Sequence, residues 1–374
     1  MAYLVKLEES GPAPFAGTPD IDAYLGPIHR IAVFRALGLG DLICATPALA
    51  ALRQQFPHAH ISLIGQPWAA EFAARLDSVD EFIAFPGHPQ LPEPPADPQG
   101  WETFVLDMQS RGIDLLIQLH GSGTVTNGLM TQLGARHVAA FHEPHRLPPE
   151  PVLGVPWNLS GTEPMRLLAM MRAFGWARPG ETPRLDFPWR QSDQAAARAL
   201  MRLRSKGTWR DHPYVCIHPG AQLASRRWPA SRFAEVAATL SQQGYTIVLT
   251  GVHSEAELGQ QIEAAVPGPC INLIGLTSLW SMGALIRGAT LLVCNDTGVS
   301  HVAAALGTRS VVISCGADVA RWAPANHGLH RVLWATAPCR PCAHTACPSQ
   351  HECALAIEPR DVLEAAKDML PQAA

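Results

Sequence analysis

The segment Gly38-Leu39-Gly40-Asp41 places a carboxylate directly after two glycines, between an apolar run over 31–34 and a helical pattern. Glycines at the end of a strand allow a tight turn and let a ligand approach the backbone. Asp41 can cap the helix by accepting its free N–H groups, or it can act as a base that takes a proton from a substrate. Because a helix N-terminus favours the ionised form of a carboxylate, the two roles are compatible.

A second turn between a predicted strand and a predicted helix has the sequence Asn-Asp-Thr-Gly-Val-Ser-His over 295–301. The free N–H groups of Thr297 and Gly298 would point out of the helix start, where a diphosphate can bind. Asp296 could bind sugar hydroxyls beside it. The other interpretation is a capped turn with His301 facing the core, and the residues alone favour neither.

Two further segments carry weaker signals for the same kind of ligand. Arg226 and Arg227 are adjacent in a predicted loop and can pair with phosphate oxygens, although two surface arginines are more often simply solvated. Gly251 ends a predicted strand, and Glu255 or Glu257 behind it could accept two ribose hydroxyls. Acidic residues in the first turn of a helix are common without any ligand, and for these two that is the better explanation from the residues alone.

Four cysteines lie within fifteen residues near the end of the chain: Cys339, Cys342, Cys347 and Cys353. Four thiols so close in sequence could surround one tetrahedral metal ion, and the leading C-x-x-C spacing is typical of such sites. His344 and His351 could each replace one thiol as a ligand. Free thiols, or disulfides formed on oxidation, are the alternatives.

Continuous apolar runs alternate with helical patterns in both halves of the chain, and a proline-rich break over 176–190 separates the two series. Uninterrupted apolar strands are typical of parallel sheets with helices on both faces. Ligands of such sheets bind beyond the carboxyl ends of the strands. We therefore predict an α/β protein with two Rossmann-like, doubly wound parallel-sheet domains facing a central cleft.

The predicted boundaries are an irregular lead-in over 1–27, a first domain over 28–185, a second over 186–335, and a Cys-rich tail with a terminal helix over 336–374.

The chain has 374 residues, of which 47% are hydrophobic, and this excludes a disordered protein. A formal net charge of −4 gives no electrostatic footprint for nucleic acid and allows at most peripheral membrane association. We expect a reduced, cytoplasmic protein, because the start lacks a signal-peptide pattern and no run reaches the length of a membrane span.

Together these motifs resemble those of the ADP-heptose:lipopolysaccharide heptosyltransferases, glycosyltransferase family nine. The resemblance runs from about residue 30 to residue 363 and rests on four motifs: RIAVFRALGLGDLICATPALAAL, HPGAQLASRRWPASRF, LTGVHSEAE and CNDTGVSHVAAALGT. It implies a GT-B fold, with the acceptor on the N-terminal domain and the nucleotide sugar, ADP-heptose, on the C-terminal one. It also implies an inverting transfer to a hydroxyl of a glycan, such as lipopolysaccharide core, with no cofactor required for catalysis.

The resemblance also implies roles for individual residues. Asp41 matches the catalytic base, which deprotonates the acceptor hydroxyl as ADP leaves. Asp296 matches the residue that holds the donor sugar, and Thr297 and Gly298 match the diphosphate clamp. The other residues matched to substrate binding are Gly40, Arg226, Arg227, Gly251, Glu255 and His301.

The chain departs from the lipopolysaccharide core enzymes in its middle, in a Pro-rich insert over 86–100 and in the sequence QLHGSGTVTNGLM over 118–130. The tail CRPCAHTACPSQHEC resembles that of relatives that modify autotransporter proteins and carry an iron site of four cysteines, which implies structural zinc or iron here. The acceptor therefore stays open between a core sugar, another glycan and a protein side chain. Another nucleotide sugar as donor, and binding without turnover, are further alternatives.

Overall fold

A computed structural model describes residues 21–92, 97–146, 152–157, 160–342 and 344–370. Within this part the chain divides into two compact units. The N-terminal unit ends at Pro188, and the C-terminal unit begins at Trp189. Most of the predicted lead-in lies outside the described residues, which begin with the short helix α1, Ile21–Leu25.

The N-terminal unit contains six strands: β1 Arg30–Phe34, β2 His60–Gly65, β3 Glu81–Ala84, β4 Leu115–Gln118, β5 His137–His142 and β6 Val152–Pro156. All of them pair in parallel, in the order β3-β2-β1-β4-β5-β6. The strand order reverses between β1 and β4, because β2 and β3 lie on one side of β1 and the later strands lie on the other. In an open α/β sheet, this reversal opens a crevice at the carboxyl ends of the strands.

Five helices follow these strands: α2 Leu39–Gln55, α3 Ala70–Ala73, α4 Pro98–Ser110, α5 Thr126–Met130 and α6 Glu163–Ala173. Helix α2 packs against α6 and buries residues around most of its circumference. Pro47 lies inside α2 and cannot donate to the carbonyl of Ile43, four residues earlier. The hydroxyl of Thr46 donates to that carbonyl instead, at 2.8 Å, so the helix continues without an unsatisfied acceptor.

The C-terminal unit repeats this topology with strands β7 Tyr214–His218, β8 Thr246–Leu249, β9 Cys270–Asn272, β10 Leu291–Asn295, β11 Ser310–Ser314 and β12 His330–Trp334. The parallel order is β12-β11-β10-β7-β8-β9, so the reversal falls between β7 and β10. Its helices are α7 Gln191–Arg204, α8 Ala230–Gln242, α9 Ala256–Ala265, α10 Leu279–Gly288, α11 Gly298–Leu306, α12 Val319–Trp322, α13 Glu352–Leu355 and α14 Pro359–Met369.

The end of the chain is part of the core of the C-terminal unit. Helix α14 packs on α8 and on β11, and its Val362 and Ala366 are fully buried in the same apolar cluster as Phe233. Trp228, in the loop before α8, donates its indole N–H to the carbonyl of Ile357 at 3.0 Å. The C-terminal end of the segment after β12 is therefore held against the sheet.

The two parallel sheets confirm the predicted fold class of doubly wound α/β units. Continuous apolar strands, such as the fully buried β4 and β10, carried that prediction. Among the described residues, no helix combines the length and the apolar character that crossing a membrane requires.

Candidate active site

Arg35, directly after β1, is the buried charge around which the polar residues of the N-terminal unit are arranged. Its side chain is fully buried, with Nη2 3.1 Å from Oε1 of Glu163 and 3.3 Å from Oδ1 of Asp41. Nε donates to the carbonyl of Asp41 at 2.6 Å, and Nη1 donates to the carbonyl of Leu119. One guanidinium thus ties together the end of β1, the start of α2, the segment after β4 and the start of α6.

Asp41 is the third residue of α2, and the helix N-cap is Gly38. The interpretation of Asp41 as the N-cap is therefore wrong, because that position belongs to Gly38, and the Asp41 carboxylate pairs with Arg35 from inside the first turn. Its side chain remains 27% exposed, whereas that of Glu163 is fully buried. Of these two carboxylates, only Asp41 can meet a solute. Gly40 is buried in the first turn of the same helix.

His120 follows β4 and lies beside the same reversal of strand order. Its Nδ1 accepts the N–H of Ala36 at 3.3 Å, and its ring stacks on Phe34 with centroids 5.0 Å apart. A nitrogen that accepts a hydrogen bond carries no proton, so this assignment puts the proton of a neutral ring on Nε2. Asp41 and His120 therefore place a carboxylate and an imidazole beyond β1 and β4, where doubly wound sheets bind ligands.

In the C-terminal unit, Asp296 follows β10 and is almost completely buried. Its Oδ2 accepts the hydroxyl of Ser314, at the end of β11, at 2.9 Å. Burial raises the pKa of Asp296, while the nearby charges of His301, Arg226 and Arg340 and the bond from Ser314 oppose that rise. A carboxylate surrounded by cationic residues at strand ends is suited to bind hydroxyl groups.

Three buried polar atoms at or beside Asp296 have no partner among the described residues: Nε of Arg226, Oγ1 of Thr297 and Nε of Arg340. Leaving a buried donor unsatisfied costs about 1–3 kcal/mol. Thr297 is the N-cap of α11, yet its side chain makes no capping bond, and Gly298 is the first residue of that helix. These orphaned donors and the helix start provide an environment that fits an anion.

Asn295 connects the two strands between which the sheet reverses. Its Nδ2 donates to the carbonyls of Pro219 at 2.7 Å and Gly220 at 3.2 Å, in the loop after β7. Its Oδ1 accepts the N–H of Trp228 at 2.9 Å. Asn295 thereby fixes the loop that carries Arg226 to the end of β10.

Glu255, rather than Glu257, lies at the strand ends. Glu255 is 5% exposed and accepts the N–H of Val252 at 2.9 Å, whereas Glu257 is exposed in the first turn of α9. A Cβ at Gly251 would lie 2.8 Å from Oε2 of Glu255, and a Cβ at Gly220 would collide with the same carboxylate. The two glycines therefore provide the space that this acidic side chain occupies.

The remaining residues predicted to bind the nucleotide sugar differ in their surroundings. Arg226 donates to the carbonyl of Cys342 at 3.1 Å and acts on the charge of Asp296. Arg227 donates to the carbonyl of Ala221 at 2.8 Å, within its own loop, so the two arginines do not point together at one group. His301 is buried, as the core-facing interpretation predicts, and its charge also acts on Asp296.

The four tail cysteines do not form a complete ligand set. Among the described residues, no three His, Cys, Asp or Glu side chains are grouped closely enough to hold a metal ion. Cys339 and Cys347 nevertheless act electrostatically on Cys353, and Cys342 is buried. The arrangement as it stands does not fit a bound metal.

A family model described as glycosyltransferase family 9 (heptosyltransferase) matches residues 108–352, more than half of the chain. The chain belongs to glycosyltransferase family 9. The resemblance drawn from the motifs is therefore confirmed. Transfer in this family generally requires no cofactor.

Curated relatives in the family share moderate identity with the chain. Lipopolysaccharide heptosyltransferase 2 of Escherichia coli (strain K12) is 31% identical over 43% of this chain and 48% of that protein. Lipooligosaccharide heptosyltransferase 2 of Haemophilus ducreyi is 25% identical over 74% of this chain and 80% of that protein. The chain spans about half or less of the length of the first curated relatives that it matches.

Solved structures share the fold. The glycosyl transferase family 9 protein from Veillonella parvula DSM 2008 has a TM-score of 0.74 at 20% identity, over 92% of this chain and 98% of that chain. ADP-heptose lps heptosyltransferase II of E. coli gives 0.70 at 21% identity, over 91% and 98%. The iron-containing dodecameric glycosyltransferase TibC from enterotoxigenic E. coli H10407 gives 0.53 at 16% identity, over 91% and 76%. The GT-B class of α/β fold is thereby confirmed.

Sequence analysis did not single out six residues that the structure places among the polar groups at the strand ends: Arg35, His120, Glu163, His218, Ser314 and Arg340. Arg35 and Glu163 are 128 positions apart, and no local pattern connects them. His218 had a usable signal, since it ends a buried apolar strand just as Asn295 does. Its Nδ1 lies 3.1 Å from the hydroxyl of Thr250, and burial lowers its pKa to about 4.

We predict that His218 makes the C-terminal unit sensitive to acid. Its pKa rises from about 4 when folded to about 6.5 when unfolded, so protons bind the unfolded chain preferentially and stability falls as the pH drops through this window. The full loss is about 3 kcal/mol. His218→Gln should flatten the dependence of the unfolding free energy on pH between about 6.5 and 4.

Denaturant unfolding across that pH range measures the slope, so the comparison holds even if the variant is less stable at every pH. His212→Gln changes an exposed histidine of the same unit and should keep the wild-type slope. Equal slopes for wild type and His218→Gln would contradict the prediction.

Proposed function

We propose that this chain is an inverting glycosyltransferase that moves heptose from ADP-heptose to a hydroxyl of a glycan acceptor such as lipopolysaccharide core. The observation that carries the proposal is the family match together with the partly exposed carboxylate of Asp41, held by a buried cation. The names of the relatives, lipopolysaccharide and lipooligosaccharide heptosyltransferases, support heptose as the sugar and this acceptor, and the name of the E. coli structural neighbour, ADP-heptose lps heptosyltransferase II, supports ADP as the nucleotide.

Asp41 is the proposed general base. Arg35 holds Oδ1 and the backbone carbonyl of Asp41, which orients the carboxylate from a fully buried position. As the acceptor oxygen bonds to the anomeric carbon, its proton passes to Asp41 and the bond from that carbon to the diphosphate oxygen breaks. A positioned base of this kind contributes about 10²–10⁴-fold to the rate.

The C-terminal unit is the proposed donor site. The N–H groups at the start of α11 and the Arg226 guanidinium would balance the charge that grows on the departing diphosphate. Asp296 would accept a sugar hydroxyl, and Glu255 would accept ribose hydroxyls beside Gly251. The unpartnered donors of Thr297 and Arg226 support this assignment, because a bound anion would satisfy them.

A protein side chain as the acceptor and a different nucleotide sugar as the donor are the alternatives. We propose the cytoplasm as the compartment, supported by nine cysteines that are all free in the structure. The zinc or iron site at Cys339, Cys342, Cys347 and Cys353 stays a prediction. The iron-containing neighbour supports it, and the lack of three grouped ligands in the described segments opposes it.

Elemental analysis of the purified chain tests the tail prediction. About one zinc or iron per chain, lost when Cys339 and Cys353 are replaced by serine, would support a structural metal. Cys216→Ser removes a buried thiol elsewhere and should leave the metal content unchanged. Protein that is free of zinc and iron after purification without chelators would remove the prediction.

Replacing the proposed base should strongly slow transfer while leaving the fold and the donor site intact. Asp41→Asn keeps the shape of the side chain but cannot take the acceptor proton at neutral pH. We expect kcat to fall about 10²–10⁴-fold with little change in the affinity for ADP. The measurement is mass spectrometry of candidate acceptors with ADP-heptose, where the wild type adds one heptose.

Asp107→Asn is the matched control, since Asp107 forms an exposed ion pair with Arg111 at the end of α4 and such pairs contribute little to stability. It should transfer at the wild-type rate. Transfer by Asp41→Asn at the wild-type rate would refute the base assignment, while the proposal for the donor would stand.

The two neighbouring glutamates provide a second matched pair, this time for donor binding. Glu255→Gln should weaken ADP binding about 10–100-fold, because charged hydrogen bonds are lost, and Glu257→Gln should leave it unchanged. Calorimetric titration with ADP measures both. UDP and GDP should bind the wild type more weakly than ADP, and equal binding of all three would argue for another donor.

A further inference from the structure

Arg340 lies in the cysteine-rich segment, yet its guanidinium is bonded to the end of β11. Nη1 lies 3.3 Å from Oγ of Ser314 and 2.5 Å from the carbonyl of Ala317, and Nη2 donates to the carbonyl of Ser314. The guanidinium carbon also lies 5.5 Å from the ring centroid of Trp334. These contacts hold the guanidinium in one orientation, one side chain away from Asp296.

Ser314 connects Arg340 to Asp296 through two hydrogen bonds, and the donor and acceptor of each bond are determined. A guanidinium has no acceptor, so Oγ of Ser314 must accept from Arg340. A serine hydroxyl has one proton, and that proton is then directed to Oδ2 of Asp296, 2.9 Å away. Oδ1 of Asp296 accepts no hydrogen bond from any residue in the described ranges.

We propose that Arg340 is a positioning residue for Asp296 in donor-sugar binding, an inference that rests on the proposed function. By occupying a lone pair of Ser314, Arg340 commits the hydroxyl proton to Oδ2 and leaves Oδ1 to accept a hydroxyl of the sugar. The carboxylate is thereby held in one orientation. Arg340 does not itself touch the reacting atoms.

A merely structural role for Arg340 makes a different prediction. If the residue served only to anchor the tail to β11, its loss would lower stability and weaken all ligands of the C-terminal unit alike. Positioning of Asp296 concerns the sugar and not the nucleotide. Comparing ADP with ADP-heptose therefore separates the two roles.

The test is calorimetric binding of ADP and ADP-heptose to the full chain. In Arg340→Met, we expect the Kd for ADP-heptose to rise about 10–100-fold, with the Kd for ADP within about two-fold of wild type. Arg340→Lys should recover part of the loss, because an ammonium can donate to Ser314 but cannot also reach both carbonyls. Arg360→Met, which alters an 85% exposed arginine of α14, should behave as wild type.

A double-mutant cycle checks that the effect passes through Ser314. Ser314→Ala alone should reproduce the loss for ADP-heptose, which keeps the test valid if Arg340→Met does not fold. The double variant should lose no more than either single variant, because one chain of hydrogen bonds is broken in each case. Additive losses, or equal losses for ADP and ADP-heptose, would overturn the positioning role.

Failure of the proposed function gives a distinct result, since the wild type would then bind no ADP-heptose. A second double-mutant cycle, with Asp296→Asn and Arg340→Met as its single variants, then uses the free energy of unfolding as its readout. Non-additive effects would support the connection from Arg340 to Asp296, and additive effects would overturn it.

Discussion

A doubly wound parallel sheet reverses its strand order once, and this constraint determines where both units of the chain can hold a ligand. In the N-terminal unit the reversal lies between β1 and β4, where Arg35 directly follows β1 and His120 lies two residues after β4. In the C-terminal unit it lies between β7 and β10, where the side chain of Asn295 bridges to the loop after β7. Because all strands run parallel, each reversal places side by side, at the same edge of the sheet, the residues that follow two strands far apart in the sequence.

The two units treat their buried charges differently. Arg35 is fully buried, but two carboxylates and two carbonyls surround it, so the cost of removing it from water is offset within the protein. Around Asp296, by contrast, donors of Arg226, Thr297 and Arg340 remain unsatisfied. Complete pairing gives a rigid carboxylate at Asp41, whereas incomplete pairing at Asp296 leaves polar atoms for a ligand to satisfy.

The sequence was sufficient to predict what depends on local order and insufficient for what depends on long-range packing. Apolar strands followed by Gly, Asp or Asn predicted the parallel sheets and the turns at Asp41 and Asp296. The cap interpretation of Asp41 failed because the helix begins earlier than the sequence suggested, with Gly38 as its N-cap and Asp41 inside the first turn. The choice between Glu255 and Glu257 needed the glycines that contact Glu255, and one of these, Gly220, comes from a different strand end.

The tail shows most clearly what the spacing of residues does not reveal. Its four cysteines drew the interpretation toward a metal, while the contacts made by its backbone and by Arg340 connect it to the predicted donor residues. The carbonyl of Cys342 accepts Arg226, and its N–H donates to the carbonyl of Gly316 at 2.7 Å. The N–H of Ser225 donates to the carbonyl of Thr345 at 3.2 Å. The tail thus holds the loops after β7 and β11 from one side, so its backbone and Arg340, rather than its thiols, connect it to the surroundings of Asp296.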